Sequence, residues 1–265
     1  LEAPAQRIAP GDGASMSKVG IWRILLILGA IGVLELLCRL GVIPNFTVIP
    51  PSAMAQSLWS ILASGKFSPD IAATLTNVGI AIAAAMIVGI AVGNLLHSWP
   101  AARRVFDPLF ATYYAVPMYA FYPLLLVIFG LGDFPQIAIG FLLAVMAVII
   151  NTLNGLDRVP AVLLKTARVH RLGLVSAGLR VRLPYPAPDV VNGFKLAVAY
   201  GFIGVIGAEF ITSSRGIGYE ISFAYNNFDN AVMYAMILFI LLLVVPVNMS
   251  LHAWEKRLLS RRRRA

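Results

Sequence analysis

A single cysteine, Cys38, stands in 265 residues, which excludes a disulfide framework and any zinc or iron–sulfur centre built from cysteines. Charge is just as scarce. Charged residues make up 12% of the chain and hydrophobic ones 59%, against about 25% and about 45–50% in soluble domains. So little charge on so apolar a chain excludes disorder. It also excludes a water-soluble globule, because one core cannot hide that much apolar surface. No G-x-x-x-x-G-K-[ST] loop is present, and the Gly65-Lys66 pair runs into Phe67, so nothing here cradles a nucleotide phosphate. Ser176 lies between Gly173 and Gly178 at the wrong spacing for a nucleophile elbow. His97, His170 and His252 are scattered without H-E-x-x-H spacing and read as loop or interface residues, with no metal site. The chain does not read as an enzyme.

What is present is a series of long apolar runs. A bilayer core about 30 Å thick takes roughly 20 apolar residues per helix. Six segments meet that length, near residues 21–40, 71–96, 111–129, 134–153, 191–211 and 231–253. The third is interrupted by Pro117 and Pro123, which membrane helices tolerate when neighbours satisfy the freed carbonyls. The expected fold is an all-α integral membrane protein of about six transmembrane helices. The net charge is +9, yet its placement tells more than its sum. Seventeen of the 21 basic residues fall before span one, between spans two and three, between spans four and five, or after span six. The positive-inside rule then places both termini in the cytoplasm. Nucleic acid is not an expected partner, since the basic residues are spent on topology. A signal-peptide reading of span one fails for want of a small-residue cleavage site.

The organisation expected is one transmembrane domain over residues 21–255. An N-terminal stretch 1–20, rich in Ala, Pro and Gly up to Met16, reads as a disordered tail or as residues not native to the protein. A basic tail over 256–265 contains Arg261 to Arg264. Residues 53–62 form a short amphipathic stretch on the outer face. Three ionisable groups sit within spans: Glu35, Lys195 and Glu209. Each costs about 2.5–3.5 kcal/mol at the bilayer centre, so each needs a partner, water or a protein interior. Lys195 and Glu35 lie near span ends, where a long side chain can snorkel. Glu209 follows Gly201, Gly204 and Gly207, a smooth face for close packing, and is read either as a pathway residue or as a structural hydrogen-bond partner. Gly89 and Gly93 form a packing GxxxG. Tyr113, Tyr114 and Pro117 are candidates for the lining or gate of a path.

The longest polar connection runs between spans four and five. Residues 163–173 read as a helix whose Lys165, Arg168 and Arg171 share a face by their spacing of three. Val181-Arg182-Leu183-Pro184 follows, and Pro186 and Pro188 lead into span five. A short, basic, proline-bounded helix suits docking to a partner better than crossing a membrane.

Here the chain resembles the permease subunits of ATP-binding cassette importers of the nitrate/sulfonate/taurine type, whose cytoplasmic signature is E-A-A-x3-G-x9-I-x-L-P. Without a gap, Ala167, Leu183 and Pro184 match and Val181 replaces the isoleucine. Lys165, Thr166 and Arg171 stand where the family has Glu, Ala and Gly, so the spacing is kept while diagnostic residues differ. Arg103-Arg104-Val105-Phe106-Asp107-Pro108-Leu109, Ala115-Val116-Pro117, Phe129-Gly130-Leu131-Gly132, Asn151-Thr152-Leu153-Asn154-Gly155-Leu156, Gly207-Ala208-Glu209 and Gly216-Ile217-Gly218-Tyr219 resemble the family in order and spacing.

The resemblance implies a type I importer permease fold in a bacterial inner membrane. It implies that two permeases, either two copies of this chain or this chain and a distinct one, form one path. Two separate ATPase subunits would grip the coupling helix at Lys165, Thr166, Ala167, Arg168, Val169, His170, Arg171, Leu172 and Gly173. ATP and Mg would bind to those subunits and no cofactor to this chain. An extracytoplasmic binding protein would deliver a small anion such as nitrate, a sulfonate or taurine. The substituted Lys165 and Arg171 favour pairing with a more typical permease. The alternative is an ion-coupled secondary transporter, which would need more ion-coupling groups inside the spans.

Overall fold

The structure is a computed structural model and describes residues 13–44, 46–160, 162 and 186–262. Nine α-helices occur among them, and no strand. They are α1 (Gly13–Arg39), α2 (Pro51–Ser64), α3 (Ser68–Ser98), α4 (Pro100–Tyr113), α5 (Tyr122–Phe129), α6 (Asp133–Asp157), α7 (Ala187–Ile211), α8 (Ile217–Asn226) and α9 (Asn230–Arg262). A 3-10 turn, Met118–Phe121, leads into α5. The amphipathic stretch read from the sequence is α2, opened by Pro51 at its first position and closed by left-handed Gly65.

Three helices make the centre. Along α3 and α6 the contacts advance together, so the two run parallel. A Cβ at Gly89 would lie 2.6 Å from Val148 Cβ, and one at Gly93 2.8 Å from Thr152 Cβ. α7 returns antiparallel, and its three glycines each admit a different neighbour. A Cβ at Gly201 would meet Ile82, one at Gly204 would lie 2.5 Å from the Gly140 Cα, and one at Gly207 would strike the Tyr119 hydroxyl. Small residues allow such backbone approach where lipid supplies no hydrophobic drive between helices. Ala85, Ala144, Val148 and Ala197 fill the resulting core at or near zero exposure.

α1 and α9 lie outside this centre. Leu25, Leu26 and Ile27 of α1 are exposed, as are Leu241, Leu242 and Val245 of α9, as apolar side chains facing lipid are. Five helices are long and apolar enough to cross a bilayer. The third crossing differs from the straight span expected at 111–129. It is a pair of helical pieces, Pro100–Tyr113 and Met118–Phe129, bent by 96°. The cause is local. Pro117 has no N–H for the preceding turn and its ring excludes the helical carbonyl behind it. Eight-residue α5, about 12 Å long, is too short to cross alone. The pair still traverses the bundle, because Arg103 of α4 bonds Asp157 at one end while Phe129 packs on Phe134 at the start of α6. Counting the bent pair as one crossing, the described residues supply six, and five without it.

The bundle therefore has two polar ends, called here the Asp157 end and the Glu209 end. α9 finishes at the Asp157 end, where Glu255 accepts from Lys195 at 2.8 Å. Lys195 is thus paired across helices rather than snorkelling. Glu35 is engaged too, accepting from Arg39 Nε at 2.6 Å and from the Ser52 N–H at 3.0 Å, which caps α2.

Candidate functional site

The Glu209 end is a knot of buried polar side chains. Glu209 is 1% exposed, and among the described residues no basic side chain pairs with it. The Thr74 hydroxyl lies 2.8 Å from one carboxylate oxygen and 2.9 Å from the other, and the Gly218 N–H donates at 3.0 Å. Thr74 Oγ1 in turn accepts from the Ile217 N–H at 2.8 Å, and Asp70 accepts from the Gly216 N–H at 2.9 Å. Three side chains thus satisfy the first N–H groups of α8, which any helix leaves open. Gly216 is required here. Its φ is +108°, and a Cβ would sit 2.5 Å from the Glu209 carboxyl carbon.

A second chain of bonds crosses the same level. Asn77 Nδ2 donates to Gln136 Oε1 at 3.1 Å, Gln136 Nε2 to Ser213 Oγ at 2.8 Å, and Ser213 Oγ to the Arg215 carbonyl at 2.7 Å. Arg215 also forms an ion pair with Asp133, which holds the guanidinium further above its ordinary range. Burial, and then the neighbouring Asp70, push the Glu220 carboxyl of α8 up. The loop from Thr212 to Gly216 is therefore held by α3, α6 and α7 together. Asn77 and Gln136 were missed in the sequence, where uncharged amides inside apolar runs were their only signal. Gln136→Leu should cost about 1–3 kcal/mol, since Asn77 and Ser213 lose a buried partner. Thermal unfolding in detergent measures it.

Midway between the ends lies the break between α4 and the 3-10 turn, at residues 114–117. Tyr113 donates to the Leu142 carbonyl at 2.7 Å, Tyr119 to the Ile203 carbonyl at 2.5 Å, and the Tyr114 ring stacks on Tyr200 at 5.7 Å. Leu142 and Ile203 lie well inside α6 and α7, so the break sits at mid-depth. Tyr114 and Pro117 are exposed beside it. Of the residues singled out in the sequence, Tyr113, Tyr114 and Pro117 come together here. Glu209 does not join them; its carboxylate is spent on Thr74 and Gly218. Tyr119 and Tyr200 complete the cluster.

The Asp157 end is a frame of ion pairs. Asp157 accepts two bonds of 2.6 Å from Arg103 and lies 3.2 Å from His97 Nδ1. Arg158 Nη1 donates to Asp189 at 2.8 Å. Gly155 lets the chain return tightly, for a Cβ there would lie 2.7 Å from Pro186 Cβ. Lys165 to Gly173, with Val181, Leu183 and Pro184, lie outside the described residues. Among the described residues no three His, Cys, Asp or Glu side chains are grouped to hold a metal ion.

The family described as "Binding-protein-dependent transport system inner membrane component" matches residues 81–264. The taurine transport system permease protein TauC of Escherichia coli (strain K12) is 27% identical over 214 residues, 79% of this chain and 78% of that one. The nitrate import permease protein NrtB of Synechococcus elongatus is 31% identical over 194 residues, 72% of this chain and 69% of that one. An inward-facing structure of the MetNI methionine ABC transporter matches with a TM-score of 0.62 and 16% identity, over 72% of this chain and 95% of that one. That last likeness is one of fold.

Proposed function

Because the chain belongs to the family of binding-protein-dependent transport inner-membrane components, we propose that it forms half of an ATP-driven path for a small solute. It is a multi-pass permease with the type I ABC importer fold. The solute class is small anions and zwitterions, as taurine and nitrate are for the relatives named above. An extracytoplasmic binding protein delivers the solute at the Glu209 end. A second permease, the same chain or a distinct one, closes the path. Two cytoplasmic ATPase subunits dock at residues 163–173, and ATP and Mg bind to them.

One observation carries the coupling part of this reading. The segment 161–185 leaves α6 and re-enters α7 at almost one point, fixed by the Arg158–Asp189 pair and the contact of Gly155 with Pro186. A connection whose two flanks are fixed on the two most closely packed helices passes a push straight into the bundle. ATP-driven closure of the ATPases then biases two arrangements of these helices, one open to each side. The same reading places the Asp157 end, and both chain termini, in the cytoplasm, where the basic residues concentrate.

Gentle purification of the tagged chain from its own host tests this. An ATP-binding cassette ATPase should co-purify, with a second permease beside it if the pair is mixed. A chain that comes out alone and transports without ATP overturns the reading.

A further inference from the structure

The break at residues 114–117 is irregular backbone at membrane depth. Hydrocarbon cannot satisfy such backbone, so it survives only inside protein or along a water-filled cavity. In this chain it is not inside protein: Tyr114 is 48% and Val116 40% exposed, and Ala115 and Pro117 are exposed too. Its backbone donors are spent, which leaves the Tyr114 and Tyr200 hydroxyls. The Ala115 and Val116 N–H groups donate to the Thr112 and Tyr113 carbonyls at 3.0 and 3.1 Å, and Pro117 has none. The carbonyls of Tyr114, Ala115 and Val116 receive no hydrogen bond from the described residues.

The break thus presents unpaired acceptors beside tyrosine rings and, among the described residues, no cation. The nearest cation along α7, Lys195, lies about 7 Å of helix rise from Tyr200 and is neutralised by Glu255. The other pairs, Arg103–Asp157 and Arg215–Asp133, are at the two ends.

Resting on the importer reading, we infer that the carbonyls of Tyr114, Ala115 and Val116 are a polar wall of the path at mid-depth. They accept hydrogen bonds from an N–H-bearing solute. Among the described residues a bare oxyanion finds no counter-charge at this level, whereas the ammonium of an amino-sulfonate finds acceptors and the faces of Tyr114 and Tyr200. A dry interface with a second permease would leave the carbonyls orphaned; water and a passing solute do not.

The experiment uses the assembled complex in membrane vesicles, with Cys38→Ala removing the native thiol. Ala115→Cys and Val116→Cys are each treated with two membrane-impermeant thiosulfonates, one carrying a trimethylammonium and one a sulfonate. Val127→Cys, 83% exposed on α5, serves as the lipid-facing reference. The wall assignment expects both break thiols to react several-fold faster than Val127→Cys, and their modification to block uptake. It also expects the ammonium reagent to outrun the sulfonate by several-fold more than it does on a free thiol. Break thiols as inert as Val127→Cys overturn the wall. Reactive thiols that prefer the sulfonate overturn the solute class. ATP-dependent uptake by unlabelled vesicles is measured first: its absence sinks the importer reading, while uptake with inert thiols sinks only this inference.

Discussion

Replacing Arg168 and Arg171 together by glutamate should reduce ATP-driven uptake by about a hundredfold or more while leaving the chain inserted. Both residues lie on the basic face of the proposed docking helix. A basic docking face implies an acidic surface on the partner, and reversing two charges there sets like charge against like, which costs several kcal/mol. At about 1.4 kcal/mol per factor of ten, that is enough to detach the ATPases. The spans are untouched, so expression and detergent extraction should match the wild type. Uptake in vesicles and recovery of the ATPase on the tagged permease are the two readouts. Unchanged uptake removes 163–173 as the docking site. Loss of uptake with full ATPase recovery would mean that the charges transmit movement rather than hold the partner.

Glu209→Leu should be the most damaging substitution at the opposite end, lowering stability by about 3 kcal/mol or more. The leucine removes the acceptor for the Gly218 N–H and the partner of Thr74. It also sets an apolar branch where Gly216 already touches the carboxylate. Glu209→Gln is the informative companion. The glutamine oxygen still accepts from Gly218, so about 1 kcal/mol or less should be lost and uptake should stay near normal. A Gln variant that assembles normally and fails to transport would show that the charge itself acts in the cycle. The clamp role assigned by the geometry would then be withdrawn.

The two variants also divide what the sequence could and could not disclose. Hydropathy alone delimits six crossings, and the basic residues show which connections share a side, because both signals are local in the chain. Glu209 is conspicuous as a carboxylate in an apolar run. Its partners are not, since Thr74 is 135 residues away and a threonine in a membrane helix draws no notice. Lys195 likewise gives no hint of Glu255, 60 residues on. The break was half legible. Pro117 and Pro123 both interrupt the third run, and local rules do not say which one bends it. Pro123 sits in the first turn of α5, where a missing N–H costs nothing. Pro117 falls where the chain would have to continue, and there it turns. Tyr200 joins Tyr114 only because α7 folds back against the segment that follows α4.

The bare meeting of Gly140 and Gly204 has a mechanical meaning. Where two helices touch through side chains, ridges interlock and turning one past the other means lifting those ridges out of their grooves. Two glycines face to face have no ridge. The crossing is the natural fulcrum between α6 and α7, although Val205 also seats against Gly140 and Gly193 against Asn151, so rocking α7 shifts those contacts too. Its arms are unequal. Gly204 stands 17 residues from Ala187 and 7 from Ile211, roughly 25 Å and 10 Å of helix. A shove at the Asp157 end therefore reaches the Glu209 end reversed in direction and cut to about two-fifths. Such a lever trades travel for force: a wide swing below becomes a short, firm one above, on the scale of a hydrogen bond made or broken.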